Sequence, residues 1–214
     1  ERGGRPAIVM RGYGDDEPEV HRRLNPGAIV VVDPDRVRGV GTAAALGADV
    51  AVLDDAFQHR RARRLADVVL VSADRWPGAV RSLPAGPFRE GLRALRRASH
   101  IVVTRKAASR EAASALAGRL AGAAPGVPVA MVHLAAAGVA DATSGVTRPL
   151  SELAGRTVLA ICGVGDPDAF RAQLAGAGAT VHLRAFADHH DFSVADIAEL
   201  AAEAARVTEV TTYR

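Results

Sequence analysis

The stretch Val50-Ala51-Val52-Leu53-Asp54-Asp55 constrains this chain more than any other. Four apolar residues bounded by Asp49 and Asp54 read as a strand buried on both faces, of the kind found in parallel sheets covered by helices. Ligands of open parallel sheets sit beyond the carboxyl ends of the strands, so the adjacent carboxylates mark a candidate reaction site. A carboxylate there can hold Mg²⁺ against nucleotide phosphates. Gln58 adds a neutral oxygen three residues on. The same residues also fit a plainer role, with Asp54 capping a following helix and Asp55 solvated.

A parallel sheet requires crossover connections, and the rest of the sequence supplies them, because short β-type runs alternate with helical patterns. Strands are expected at 7–10, 28–32, 49–53, 68–72, 101–104, 129–132, 157–162 and 180–184, and a last one at 209–212. Asp33 before Pro34 fits an N-cap for a helix ending near Leu46, with Gly47 as its stop. A second helix spans Arg110 to Leu120. Asp166-Pro167 opens one through Ala175, and the S-x-x-D pattern of Ser193 and Asp196 opens one to about Arg206. Small residues with two glycines and no clear period, 135–145, read as a domain link. The expected organisation is therefore an α/β core domain over residues 1–135 and a smaller α/β domain over 136–214.

At 214 residues the chain can build an ample core. The lone Cys162 lies in an apolar run, which points to a buried structural thiol in a reducing, cytoplasmic setting. No apolar run approaches the roughly 20 residues of a membrane span. The net charge of +3 is carried almost wholly by arginine, since Lys106 is the only lysine. Arginine forks match phosphate oxygens, although a G+C-rich genome produces the same bias. With 4% aromatic residues and no basic-aromatic interleaving, a nucleic-acid partner is not expected.

Three further segments could carry chemistry. Met10-Arg11-Gly12-Tyr13-Gly14-Asp15-Asp16-Glu17-Pro18 follows the first strand with an unusual density of charge, or simply opens a helix whose dipole Asp16 and Glu17 complement. Leu83 to Glu90 is stiffened by two prolines and presents Arg89. Asp188-His189-His190-Asp191 follows a strand of the second domain between Phe186 and Phe192, as a polar site, a metal site or a surface turn.

Together these segments resemble, in order and over nearly all of the chain, one family: the tetraacyldisaccharide 4'-kinases. The similarity rests on Arg11-Gly12-Tyr13-Gly14, Asp16-Glu17-Pro18, Asp54-Asp55 with Phe57-Gln58-His59, Leu83 to Pro87 with Arg89-Glu90, Gly163-Val164-Gly165 with Pro167 and Phe170, and Asp188-His189-His190 with Phe192 and Asp196. The resemblance implies a P-loop-NTPase-like, mostly parallel sheet flanked by helices with a second, smaller α/β domain. It also implies ATP- and Mg²⁺-dependent transfer of phosphate to the 4'-hydroxyl of an acylated glucosamine disaccharide 1-phosphate, in lipid A synthesis. Asp16 would be the general base and His189 its partner. Asp54, Asp55 and Gln58 match the Walker B region and would organise the metal with the nucleotide. Arg11 would bind or neutralise phosphate, and Glu17, Arg89 and Asp188 would contact the substrate. A cytoplasmic protein peripheral to the inner membrane follows.

Some positions depart from the pattern: Met10 replaces a common Ser, Ala56 a usual Gly, and the Gly14–Asp16 loop is short. No G-x-x-x-x-G-K-[ST] occurs in the sequence. The chain therefore reads as an internal fragment that lacks the first strand and phosphate loop of such a kinase and would turn over poorly alone. Two alternatives stand beside the kinase. One is a noncatalytic α/β module binding a phosphorylated sugar or nucleotide. The other is a metal phosphoesterase built on Asp188-His189-His190.

Overall fold

The computed structural model describes residues 3–12, 16–188 and 190–207, with the backbone alone for Asp16. The expected strand at 209–212 lies outside the described residues. The fold is mixed α/β with mostly parallel strands flanked by helices. The chain divides into two compact units, residues 1–67 and 68–214, so the division expected at 135/136 falls inside the second unit.

In the first unit, strands β1 (Pro6–Met10), β2 (Ile29–Val32) and β3 (Val50–Leu53) form a parallel sheet in the order β2-β1-β3. Helix α1 (Asp16–Leu24) connects β1 to β2, and α2 (Arg36–Ala45) connects β2 to β3. Register pairs Val9 with Val31 and with Leu53, so Ala7, Val9, Val31, Ala51 and Leu53 share one face. That face packs with Val40 and Ala43 of α2 into the core of the unit. Each fully buried aliphatic side chain of this kind contributes about 1.5–3 kcal/mol of transfer free energy.

The expectation that 50–53 is buried on both faces is not met. Val50 and Val52 are 52% and 58% exposed, because β3 forms an edge of its sheet and α2 covers only the opposite face. The start of α2 also differs from expectation. Its N-cap is Asp35, whose carboxylate accepts from the N–H groups of Val37 and Arg38, while Asp33 accepts from the Asp35 N–H and the Arg38 guanidinium.

In the second unit, β4 (Val68–Ser72), β5 (His100–Arg105) and β6 (Val129–His133) form a parallel sheet in that order. Helix α3 (Arg110–Ala123), capped by Ser109, packs Ala113, Leu116 and Leu120 toward buried Ile101 and Val103. It runs past Gly122, further than expected. The segment expected as a link is partly ordered into an antiparallel pair, β7 (Gly138–Ala140) and β8 (Thr147–Pro149). Strands β9 (Thr157–Cys162) and β10 (Thr180–Ala185) pair in parallel around α4 (Pro167–Gly176), with Val158, Ala160, Leu174 and Phe170 in their core. Asp166 caps α4 and Pro167 opens it, as the sequence implies. Cys162 is buried, and that burial pushes its thiol above the ordinary value, which suits packing rather than nucleophilic attack.

Candidate functional site

In the first unit the functional candidates collect at the carboxyl end of the sheet because β1 and β3 are adjacent and parallel. The Asp54 N–H donates to the Val9 carbonyl at 3.0 Å, which carries the β1–β3 ladder one residue past β3. Arg11 directly follows β1, so it and the Asp54-Asp55 pair emerge from the same sheet edge. Gly12 follows with φ +77°, and a Cβ there would collide with Val32 Cγ1, so both backbone and space favour glycine. Asp16 and Glu17 open α1 on the same connection, with Glu17 half-buried. The side chain proposed as general base, that of Asp16, lies outside the described residues.

Asp54 and Asp55 are both exposed, as a pair available to a ligand must be. Asp55 adopts φ 45°, the one described non-glycine residue with positive φ, so the turn after β3 holds the second carboxylate in a sparsely populated backbone conformation. The backbone of Asp54 is fixed by a residue that sequence reasoning missed. Arg36 is only 2% exposed and donates from one terminal nitrogen to the Asp33 carbonyl (2.8 Å) and from the other to the Asp54 carbonyl (2.9 Å). It thus joins the carboxyl ends of β2 and β3, while its buried Nε has no hydrogen-bond partner among the described residues. A signal was present in the sequence: a cation in the first turn of a helix opposes the helix dipole, so another duty has to offset that cost. A cavity of about 430 Å³ opens beside this arginine, lined by residues 34–38 with His59, Arg61 and Ala62.

Among the described residues no group of three or more metal-ligating side chains occurs. A Mg²⁺ site needs fewer, because Mg²⁺ is commonly bound by one or two carboxylates with the remaining positions filled by water and substrate phosphate. Two exposed carboxylates at a strand end, with the Gln58 amide four residues beyond Asp54, suit that hard, oxygen-preferring ion.

In the second unit, Arg89 lies between two fixed neighbours. Phe88 packs on Trp76 (ring centroids 5.7 Å apart), and Glu90 makes a two-point pair with Arg97 at 2.9 and 3.0 Å. The rigidity read from the prolines thus has a side-chain counterpart. Asp188 is exposed after β10 and lies against the turn that follows β9: a Cβ on Gly165 would sit 3.0 Å from its Oδ2. His189 lies outside the described residues, but its neighbour is well held. The His190 ring stacks on Phe186 (4.6 Å) and meets Phe192 edge-on (5.0 Å), and its Nε2 lies 3.3 Å from Asp196 Oδ2. Asp196 closes a capping box with Ser193 at the start of α5 (Val194–Ala204). The hydroxyl and N–H of Ser193, and then His190, hold the Asp196 carboxyl below the ordinary carboxylate value.

A second missed residue is Asp74, two residues past β4. It accepts the N–H groups of Lys106, Ala107 and Ala108 at 2.7–2.8 Å and so fixes the loop after β5. Burial raises its carboxyl value, but the three amides together bring it below the ordinary range. A cavity of about 620 Å³ lies past that loop, bordered by Lys106, His133, Leu150 and Gln173. Gln173 bridges α4 to the segment after β6 through the Leu134 carbonyl and the Ala136 N–H.

Comparison with known proteins points to one family. A family profile described as Tetraacyldisaccharide-1-P 4'-kinase matches residues 13–214. The chain is 39% identical over 240 residues to the tetraacyldisaccharide 4'-kinase of Anaeromyxobacter sp. (strain Fw109-5), covering 100% of this chain and 64% of that protein. The same-named protein of Nitrobacter winogradskyi is 36% identical, covering 99% of this chain and 65% of its own length. That of Syntrophotalea carbinolica is 40% identical over 87% of this chain and 50% of its own length. The chain thus spans about half to two-thirds of the length of these relatives. No solved structure matches it.

Proposed function

Because the chain belongs to the tetraacyldisaccharide-1-P 4'-kinase family, we propose that the protein takes part in moving the γ-phosphate of ATP onto the 4'-hydroxyl of an acylated glucosamine disaccharide 1-phosphate. The observation that carries this reading is the gathering of Arg11, Glu17, Asp54 and Asp55 at the carboxyl end of adjacent parallel strands, with the Asp54 carbonyl pinned by Arg36.

The roles follow from the chemistry. The 4'-oxygen bonds to the γ-phosphorus as the bond to the ADP oxygen breaks, and the hydroxyl proton passes to Asp16, oriented by His189. Asp54 and Asp55, with Gln58, would hold Mg²⁺, which when bound neutralises charge on the phosphate oxygens. Arg11 neutralises phosphate, while Glu17, Arg89 and Asp188 contact the sugar or its 1-phosphate. The substrate is acylated, so the protein works at a membrane surface, from the cytoplasmic side. Among the described residues no helix is long and apolar enough to cross a bilayer.

The test is transfer of label from γ-labelled ATP to purified tetraacyldisaccharide 1-phosphate by the full-length gene product, with the position of the new phosphate read by NMR. Label at the 4'-oxygen is expected. ATP binding without transfer would favour the noncatalytic module.

A further inference from the structure

The segment that follows the acidic pair, His59-Arg60-Arg61-Ala62-Arg63-Arg64-Leu65, has a use that the chemistry above does not require. The fold keeps one of its four arginines for itself. Arg64 donates to the carbonyls of His59 (2.6 Å) and Ala62 (2.8 Å) and pairs with Asp67 (2.6 Å), and Ala62 is buried. These contacts draw residues 59–67 into a clipped loop. Arg60, Arg61 and Arg63 are left exposed, with no ion pair among the described residues, and Leu65 is fully exposed beyond them.

Three unneutralised cations within four residues repel one another, and a rigid loop cannot spread them apart. A bare leucine beside them leaves apolar surface in water. Both costs are relieved by a single kind of partner: a surface of phosphates with hydrocarbon just beneath. Guanidinium forks match phosphate oxygens, and an apolar tip enters the acyl boundary. A single-stranded nucleic acid would instead call for aromatic stacking, which residues 59–65 do not offer.

We propose that the 59–67 loop is a docking element for an anionic phospholipid surface. The inference rests on the kinase reading only in its choice of a membrane as the source of phosphates, since an acylated substrate is met there. Arg61 also lines the cavity beside Arg36, so the decisive variant changes Arg60 and Arg63 alone.

The experiment uses the full-length protein and sedimentation with vesicles of phosphatidylcholine, with and without phosphatidylglycerol. The wild type is expected to bind the anionic vesicles, more weakly as salt rises, and to leave the neutral ones in solution. Arg60→Gln/Arg63→Gln should weaken that binding about 30-fold, from roughly 1 kcal/mol per arginine at an anionic surface. Leu65→Ser should weaken it by a smaller factor. Turnover on detergent-dispersed substrate should be unchanged in both variants.

Wild-type-like binding by the double variant, equal binding to neutral vesicles, or arginine-dependent binding of an oligonucleotide in place of vesicles would each overturn the proposal. So would a loss of turnover in detergent, which would assign the arginines to the reaction site. A wild-type protein that docks through this loop but transfers no phosphate would overturn the kinase reading and leave the docking element standing.

Discussion

The two units each end parallel strands on a cluster of polar residues, but they hold those clusters in different ways. After β1 and β3 the fixing element is a buried charge: Arg36 reaches from α2 to two backbone carbonyls, and the carboxylates beside it stay exposed. After β10 it is a sandwich of rings: His190 is gripped by Phe186 and Phe192 and finished by a capping box at the surface. A buried guanidinium on carbonyls is costly to remove, whereas a cap resting on a carboxylate is cheap to lose and sensitive to acid. The first cluster is therefore held by a contact that does not depend on its own carboxylates. The second responds to the ionisation of its own carboxylate.

The sharpest way to break this contrast is at the chemistry itself. Asp16→Asn in the full-length enzyme should lower kcat by about 10²- to 10⁴-fold with little change in ATP affinity, the range for loss of a general base. Steady-state kinetics with a nucleotide-binding measurement separates the two parameters, and an unchanged kcat removes Asp16 from the mechanism.

Next in size is Arg36→Met, which keeps the buried stem but strips both donors. Each orphaned carbonyl should cost roughly 1–3 kcal/mol, read by urea unfolding. A variant as stable as the wild type would show that the clamp is incidental.

The smallest expected effect lies in the second unit. Ser193→Ala should cost about 1 kcal/mol through loss of the cap. Its pH dependence has a definite sign. The Asp196 carboxyl is held low in the folded state, so its stabilisation is complete above the ordinary carboxylate value and is lost as pH falls through the lower folded value. Amide exchange should show Ser193 losing protection in acid while Asp54, bonded to the Val9 carbonyl, keeps it. Equal loss at both sites would erase the distinction between the two ends.

Much of this was legible in the sequence because it rests on local rules. The eight strands from β1 to β6, β9 and β10 announced themselves as short apolar runs, and Asp166-Pro167 and Ser193-x-x-Asp196 marked helix starts through chemistry confined to a single turn. The candidate site was proposed from motifs, above all Asp54-Asp55 beyond its apolar run. What stayed hidden depends on partners distant in sequence. Val50 and Val52 read as buried because hydrophobicity does not reveal which strand lies at a sheet edge. Arg36 read as an ordinary helix residue because its acceptor, the Asp54 carbonyl, is 18 residues away. Asp74 gave no signal for the same reason, with its three donors more than 30 residues on. The hairpin of β7 and β8 escaped because its strands are three residues each and carry small or polar side chains.

If the acids at the end of β3 serve a metal-bound nucleotide, as proposed, Mg²⁺ activation of the full-length protein depends on them. Turnover titrated with Mg²⁺ at fixed ATP should show Asp54→Asn and Asp55→Asn each needing far more metal than the wild type, with reduced maximal rates. Mg²⁺ activation curves that superimpose on the wild type for both variants would remove the acidic pair from the metal site.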